Sequence, residues 1–294
     1  MNIGFIGIGL MGRRITGNLL RGGHNLTVFD ARRAAADELL SQGATWAASP
    51  RAVAAASEVV FTALPRPRDV ENVSLGASGI LSGAAPDLAY FDLSTTDPDT
   101  IQRIATAARP RGVHVLDAPV SGGTIGAEQA QLTIMIGGNR DVCERYRTVL
   151  EVISNRIIYC GEQGTGAVCK IVNNLLNLGN YLLLAEALTL GRTAGVDTET
   201  LFEAISHSSG NSRSLQEFPD SLFVGNFEPG FRLDLGAKDV GLATEMGREY
   251  RVPMEVANLV EQRFQDALNR GWGGQSAVSV MRLQEERTKM DIRV

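Results

Sequence analysis

In the first half of the chain, short apolar runs alternate with longer segments of helical periodicity. Runs at Asn2–Gly7, Asn25–Asp30, Val59–Leu64, Leu88–Leu93, Val113–Asp117 and Leu132–Ile136 are rich in β-branched and aromatic residues and predict strands. The Ala- and Arg-rich stretches between them, such as Gly12–Arg21, Arg33–Gln42 and Thr100–Arg109, predict helices. Strands and helices alternating in this way build βαβ units, hence a parallel sheet covered on both faces. Arg156–Cys160 reads as a last strand. From Gly166 to Gly195 the chain is helix-compatible and free of proline. Further helical stretches follow at Thr198–His207, Ala237–Tyr250, Pro253–Asn269 and Ser276–Met290. The expectation is an α/β domain over residues 1–163 with a doubly wound parallel sheet. A long connecting helix then leads into an all-α domain over 164–294. No internal repeat is visible.

The first turn carries Gly7-Ile8-Gly9-Leu10-Met11-Gly12, a G-x-G-x-x-G spacing that follows an apolar strand and opens a helix. Asp30 ends the next strand, 18 residues after Gly12. In that context the motif is the dinucleotide fingerprint of a Rossmann-type domain. Gly7 permits the tight turn, Gly9 the approach of a pyrophosphate, and Gly12 close helix–strand packing. The helix N-terminus offers unpaired N–H groups and a favourable dipole to the phosphates. A glycine-rich turn that binds nothing would not need the complete spacing. Asp30 can accept from ribose hydroxyls and repels a 2′-phosphate, which favours NAD; Arg32 and Arg33, just beyond, could instead pair with that phosphate and favour NADP.

Ligands of doubly wound sheets collect beyond the carboxyl ends of the strands. Leu64-Pro65, Asp92–Pro98 and Asp117–Gly123 arrive there. Ser121-Gly122-Gly123 could present a hydroxyl and successive N–H groups to a carboxylate, or could simply be turn chemistry. The long helix carries a less ordinary pattern. Lys170, Asn173, Asn174 and Asn177 fall at i, i+3, i+4 and i+7 and share one face, among apolar Val168, Ile171, Val172, Leu175, Leu176 and Leu178. This predicts a helix buried on most sides with a narrow polar stripe. A desolvated Lys170 there would favour its neutral amine, the property a general acid/base needs. A solvent face would carry Glu and Lys rather than clustered Asn. Lys238-Asp239 looks like any exposed charge pair.

Bulk properties exclude several classes. The net charge of −5 argues against a nucleic-acid or anionic-membrane binder. No apolar run is long enough to span a bilayer. Cys143, Cys160 and Cys169 form no close-spaced pair, and free thiols in a cytoplasmic protein are expected. His24, His114 and His207 are scattered, so no metal site is expected.

These motifs, in this order, resemble the β-hydroxyacid dehydrogenase family, which includes 3-hydroxyisobutyrate dehydrogenase and tartronate semialdehyde reductase. The resemblance runs essentially end to end. It rests on Gly7-x-Gly9-x-x-Gly12, Asp117-x-Pro119-Val120-Ser121-Gly122-Gly123, Gly164-x-Gly166-x-x-x-Lys170-x-x-Asn173-Asn174, and Phe231 followed by Lys238-Asp239. It implies that Lys170 is the catalytic lysine and that Asn174 holds that lysine or the substrate. Ser121, Gly122 and Gly123 would bind the substrate carboxylate. Leu64, Pro65 and Thr95 would line the cofactor, and Lys238 would close the site from the helical domain. The resemblance also implies a small hydroxy-acid substrate and a homodimer or homotetramer. Arg213, in a segment similar to the family's substrate loop, is a candidate for a second polar group. Asn173 argues against the 6-phosphogluconate dehydrogenase branch, which has histidine there, and Lys170 argues against imine reductases. A semialdehyde-acid reductase is the same chemistry reversed. A non-catalytic dinucleotide-binding scaffold is the alternative of another class, and the intact Lys170, Asn174 and Ser121–Gly123 argue against it.

Overall fold

The computed structural model describes residues 1–294. It divides into two compact units, Met1–Lys170 and Ile171–Val294. The first is built on nine strands: β1 (Asn2–Ile6), β2 (Asn25–Phe29), β3 (Thr45–Trp46), β4 (Val59–Thr62), β5 (Ala89–Asp92), β6 (His114–Asp117), β7 (Val120–Ser121), β8 (Leu132–Gly137) and β9 (Ser154–Gly161). Their spatial order is β3-β2-β1-β4-β5-β6-β8-β7, with β9 paired to β8. The six strands from β3 to β6 are parallel. The chain winds outward from β1 in both directions, which places the switch point of the sheet at the carboxyl ends of β1 and β4.

Period-two alternation explains the two-sided burial. One face of the central strands carries Phe5, Phe61 and Phe91, stacked at ring separations of 6.3 Å and 5.4 Å, together with Ile15 and Leu19 of the helix Leu10–Arg21. The other carries Ile6, Val60 and Tyr90 against Val53, Ile80 and Ile104. Every residue of β4 and β5 is buried, as a strand covered by helices on both faces must be.

The far edge of the sheet departs from the all-parallel expectation. β8 runs antiparallel to β6 and β7, and β9 is parallel to β8. The helix between β7 and β8, Gly123–Glu128, has six residues. At about 1.5 Å rise per residue it is too short to return the chain to the start of a strand. The strand β3 was not anticipated, because two residues, Thr45 and Trp46, carry no periodicity to detect.

A helix of 29 residues, Thr165–Thr193, begins in the first unit and continues into the second. Its start is fixed by Asp117, at the end of β6. The Asp117 carboxylate accepts from the backbone N–H of Gly164 and of Ala167, each at 2.8 Å. These are orphan donors of a helix N-terminus, and an anion there also meets the favourable end of the dipole. Gly166 lies where no side chain fits: a Cβ would stand 2.4 Å from the Met135 carbonyl oxygen and 2.9 Å from Asp117 Oδ2.

The second unit holds the helices Thr198–Ser206, Arg213–Gln216, Leu233–Glu249, Glu255–Asn269 and Arg282–Thr288. Leu178, Leu188, Phe218, Phe264 and Met281 are among the fully buried residues of its core. The segment expected as one helix over Ser276–Met290 is a 3₁₀ turn, Ala277–Met281, followed by the helix from Arg282. All five turn residues are buried, and Arg282 lies over the Trp272 ring at 4.2 Å. The long helix is less enclosed than its apolar composition suggests. Ile171 and Leu178 are buried, but Val172 and Leu176 are 46% and 65% exposed. No helix is long and apolar enough to cross a membrane.

Gly166→Ala is expected to cost at least about 2 kcal/mol, because a methyl group is forced against immobile backbone. A urea midpoint lowered with unchanged slope would register this; an unchanged midpoint would contradict it.

Candidate active site

The fingerprint loop is shaped by sterics that only glycine meets. Gly7 has φ +98°, and a Cβ on Gly12 would fall 1.9 Å from the Gly7 carbonyl oxygen. Gly9, by contrast, has open space where its Cβ would stand. The helix that follows has no side chain capping its N-terminus and no acidic residue in its first turn. Its leading N–H groups are therefore available to an anion, and a pyrophosphate fits this end of the helix. Asp30 has a structural duty as well as the expected one. One of its oxygens accepts from Ile8 N–H at 2.7 Å and the other from Arg32 N–H at 2.8 Å. A carboxylate has further lone pairs for ribose hydroxyls. Arg33 is drawn aside, over the Trp46 ring at 5.5 Å and towards Asp37 at 3.4 Å.

The loops after β4 and β5 are joined through a buried carboxylate that the sequence did not single out. Asp92 Oδ1 accepts from Thr62 Oγ1 at 2.6 Å and from Ser94 Oγ at 2.6 Å. Ser94 Oγ in turn accepts from Leu64 N–H at 2.9 Å. Leu64 and Thr95 are half-buried and Pro65 is exposed. Burial pushes the Asp92 carboxyl up to about 6, against the hydrogen bonds from Ser94 and Thr62, and the charge of Asp117 adds to the rise. Asp117 is also raised by burial, opposed by the N–H groups of the helix start.

After β6 the chain reaches β7 and the Ser121-Gly122-Gly123 turn. Gly122 has φ +131° and Gly123 φ +63°, conformations that disfavour any side chain. A Cβ on Gly123 would meet nothing, so the backbone there is open. Lys170, in the same unit, is buried at 9% exposure, and so is Asn174 one turn on. A solvent-facing stripe is therefore not what the helix presents.

Within the second unit the stripe is tied to the helix Leu233–Glu249. Asn174 Nδ2 donates to Asp239 at 2.5 Å, and Asn174 Oδ1 accepts from Asn173 Nδ2 at 3.0 Å. Lys238 Nζ stands 2.9 Å from Asp239 Oδ1. The exposed charge pair expected from sequence is thus enclosed: Asp239 is 1% exposed. Its signal was the adjacency of Lys238 and Asp239, which spacing alone does not distinguish from a surface pair. Asn177 accepts from Ser214 Oγ at 2.9 Å. Arg213 is exposed, 3.7 Å from Glu217. No cluster of His, Cys, Asp and Glu is arranged to hold a metal.

The sheet order, the fingerprint and its uncapped helix define a dinucleotide-binding protein of the dehydrogenase type. Comparison with known proteins narrows this. The model of the NAD binding domain of 6-phosphogluconate dehydrogenase matches residues 2–161. The model described as NAD-binding of NADP-dependent 3-hydroxyisobutyrate dehydrogenase matches residues 164–284. A 2-(hydroxymethyl)glutarate dehydrogenase from Eubacterium barkeri is 39% identical over 293 residues, covering 99% of this chain and 97% of the relative. A 3-hydroxyisobutyrate dehydrogenase from Pseudomonas aeruginosa is 38% identical over 271 residues, covering 90% and 91%. The structure of 3-hydroxyisobutyrate dehydrogenase from Mycobacterium tuberculosis with L-serine superposes with a TM-score of 0.88 at 29% identity, covering 96% of this chain and 98% of that one. The chain belongs to the β-hydroxyacid dehydrogenase family.

The raised Asp92 carboxyl has a consequence for stability. Its folded value of about 6 lies above its ordinary 3.8, so between the two the native state holds a proton that the unfolded chain has lost. The contribution of this one carboxyl is then full below about pH 4 and is lost as pH rises through 6. Asp92→Asn removes this loss. Its stability relative to the parent should rise by roughly 2–3 kcal/mol from pH 4 to pH 7, measured by urea unfolding across that range. A pH-independent difference would overturn the assignment.

Proposed function

We propose that the chain transfers a hydride reversibly between the hydroxyl-bearing carbon of a small β-hydroxy acid and a nicotinamide dinucleotide, with Lys170 as general acid/base. The observation that carries this reading is a buried lysine, Lys170, one helical turn from a buried, fully oriented Asn174. The family relatives support it, being dehydrogenases named for small hydroxy acids. The cofactor-binding part is residues 1–163, and residues 164–294 form the helical substrate and oligomerisation part.

Gly7, Ile8, Gly9, Leu10, Met11 and Gly12 would hold the pyrophosphate and Asp30 the ribose. Leu64, Pro65, Thr95 and Lys238 would flank the rest of the dinucleotide. Bound there, the cofactor supplies the hydride acceptor or donor. The chain's own residues supply binding, orientation and one proton path. Ser121, Gly122 and Gly123 bind the substrate carboxylate through a hydroxyl and open backbone. Lys170 Nζ, as the neutral amine, takes the hydroxyl proton in oxidation and returns it in reduction. Asn174, held by Asp239, hydrogen-bonds the substrate or the lysine. Asp30 favours NAD over NADP by repelling a 2′-phosphate, and Arg33 is engaged with Trp46 and Asp37. We place the protein in the cytoplasm as a homodimer or homotetramer. The apolar side chains Leu183, Leu190, Val256 and Leu259, all more than half exposed, offer a self-association surface.

Lys170→Ala should lower kcat at least about a hundredfold while dinucleotide binding, followed by fluorescence titration, persists. Near-normal turnover would sink the role. NADH formation from hydroxyisobutyrate, glycerate, serine and threonate tests the substrate class, and no turnover with any would refute it. A higher kcat/KM for NADP than for NAD would overturn the reading of Asp30.

A further inference from the structure

The pairing of β4 with β5 ends at Thr62 and Asp92. One backbone bond follows, from Leu93 N–H to the Thr62 carbonyl at 2.8 Å. The next donor on the β4 side, Leu64 N–H, goes to a side chain instead, Ser94 Oγ at 2.9 Å. Ser94 has a single hydroxyl proton, and it is committed: Oγ donates to Asp92 Oδ1 at 2.6 Å, and Ser94 N–H reaches the same oxygen at 3.2 Å. A hydroxyl whose proton is fixed has its lone pairs fixed too, so Asp92 turns the Ser94 oxygen to receive Leu64. Thr62 Oγ1 also donates to Asp92 Oδ1, at 2.6 Å, and Asp92 and Ser94 are both buried. The residue held in this way borders the fingerprint. A Cβ on Gly7 would stand 3.0 Å from Leu64 Cδ2 and 2.4 Å from the Ala63 carbonyl oxygen, so Ala63-Leu64 forms a wall of the turn that Gly7 opens.

We propose, on the reading that a nicotinamide dinucleotide binds at Gly7–Gly12, that Ser94 and Asp92 are positioning residues for it: they set the Leu64 wall against the fingerprint turn before the cofactor arrives. They act through Leu64 and, along the chain, through Thr95, which follows Ser94 directly. A segment beyond the end of a strand samples many conformations, and ordering it on binding costs affinity. A buried hydrogen-bond chain that orders it in advance removes that cost. Without the Ser94 hydroxyl, Leu64 N–H must turn to water, and the wall leaves Gly7. The same network also runs inward, and that branch supplies a control. Tyr90 Oη lies 3.1 Å from Thr62 Oγ1 and 3.0 Å from Oγ of Ser74, in the helix Pro67–Leu75. Ser74 is buried and bonds to neither Leu64 nor Ser94.

The test is a titration of the purified full-length protein with NADH and with NADPH, followed by nicotinamide fluorescence, with stopped-flow dissociation and urea unfolding alongside. Ser94→Ala should raise Kd for the tighter-bound dinucleotide at least about tenfold, chiefly through faster dissociation. Asp92→Leu, which removes the acceptor, should weaken binding in the same way. Asp92→Asn keeps an acceptor oxygen for Ser94 and should recover most of the affinity. Ser74→Ala should lower the urea midpoint and leave Kd unchanged. Ser94→Ala binding as tightly as the parent overturns the proposal. So does Ser74→Ala weakening binding as much as Ser94→Ala, which would mark a general loss of packing. A parent that binds neither dinucleotide overturns the reading of the fingerprint, and the proposal with it. These readouts are affinities and off-rates, so they are independent of whether Lys170 is catalytic and of which hydroxy acid is turned over.

Discussion

The rest of the architecture hangs on the meeting of Asp117 with the first turn of the long helix. A helix leaves its leading N–H groups without partners, and burying them unsatisfied costs more than any one packing contact returns. Asp117 satisfies two of them at 2.8 Å, and Gly137 and Gly166 leave it room to do so. A Cβ at Gly137 would stand 2.7 Å from both Asp117 oxygens. The carboxylate is itself buried, which raises it, and the same N–H groups pull it back down. Because the helix starts at Thr165, Lys170 follows at a position set by this one cap. The lysine's place is thus decided at the end of β6, more than fifty residues earlier in the chain.

Much of the fold was legible because it is periodic. The central strands alternate or are wholly apolar, the fingerprint carries its own context, and the helix from Gly166 announces itself by length. What was not legible lacked a local signal. β3 and β7 are two residues each, and the reversal at β8 depends on the reach of a short helix rather than on any residue type. The stripe of Lys170, Asn173, Asn174 and Asn177 was visible from spacing. The apolar positions around it were not all buried, because Val172 and Leu176 face outward and composition alone does not say which face of a helix is covered. Asp92 and Asp117 stood only as members of a predicted strand end, loop or motif with no bridging role, since Thr62 and the N–H groups of Gly164 and Ala167 reach them from distant parts of the chain.

The candidate site shows how an acceptor-only group settles the state of its neighbours. Asp239 as a carboxylate can only accept, so Asn174 must turn its amide nitrogen towards it. The amide oxygen is then left on the side of Asn173, which donates to it. Sequence showed that these residues share a face. It did not show that a residue 65 positions away chooses which end of the amide faces which partner.

The chain Thr62–Asp92–Ser94–Leu64 has a practical consequence for redesign. Two loops at the sheet's carboxyl edge hang from a single carboxylate oxygen, one through a side-chain hydroxyl and the other through the backbone beyond it. Neither loop is an independent cassette. Transplanting the end of β5 and the segment after it from a relative without this Asp and Ser would leave the Leu64 amide stranded, and a proline at position 64 would remove the N–H that Ser94 accepts. A chimera that aims to alter ligand preference through either loop must carry Thr62, Asp92 and Ser94 as one block and keep a backbone N–H at position 64.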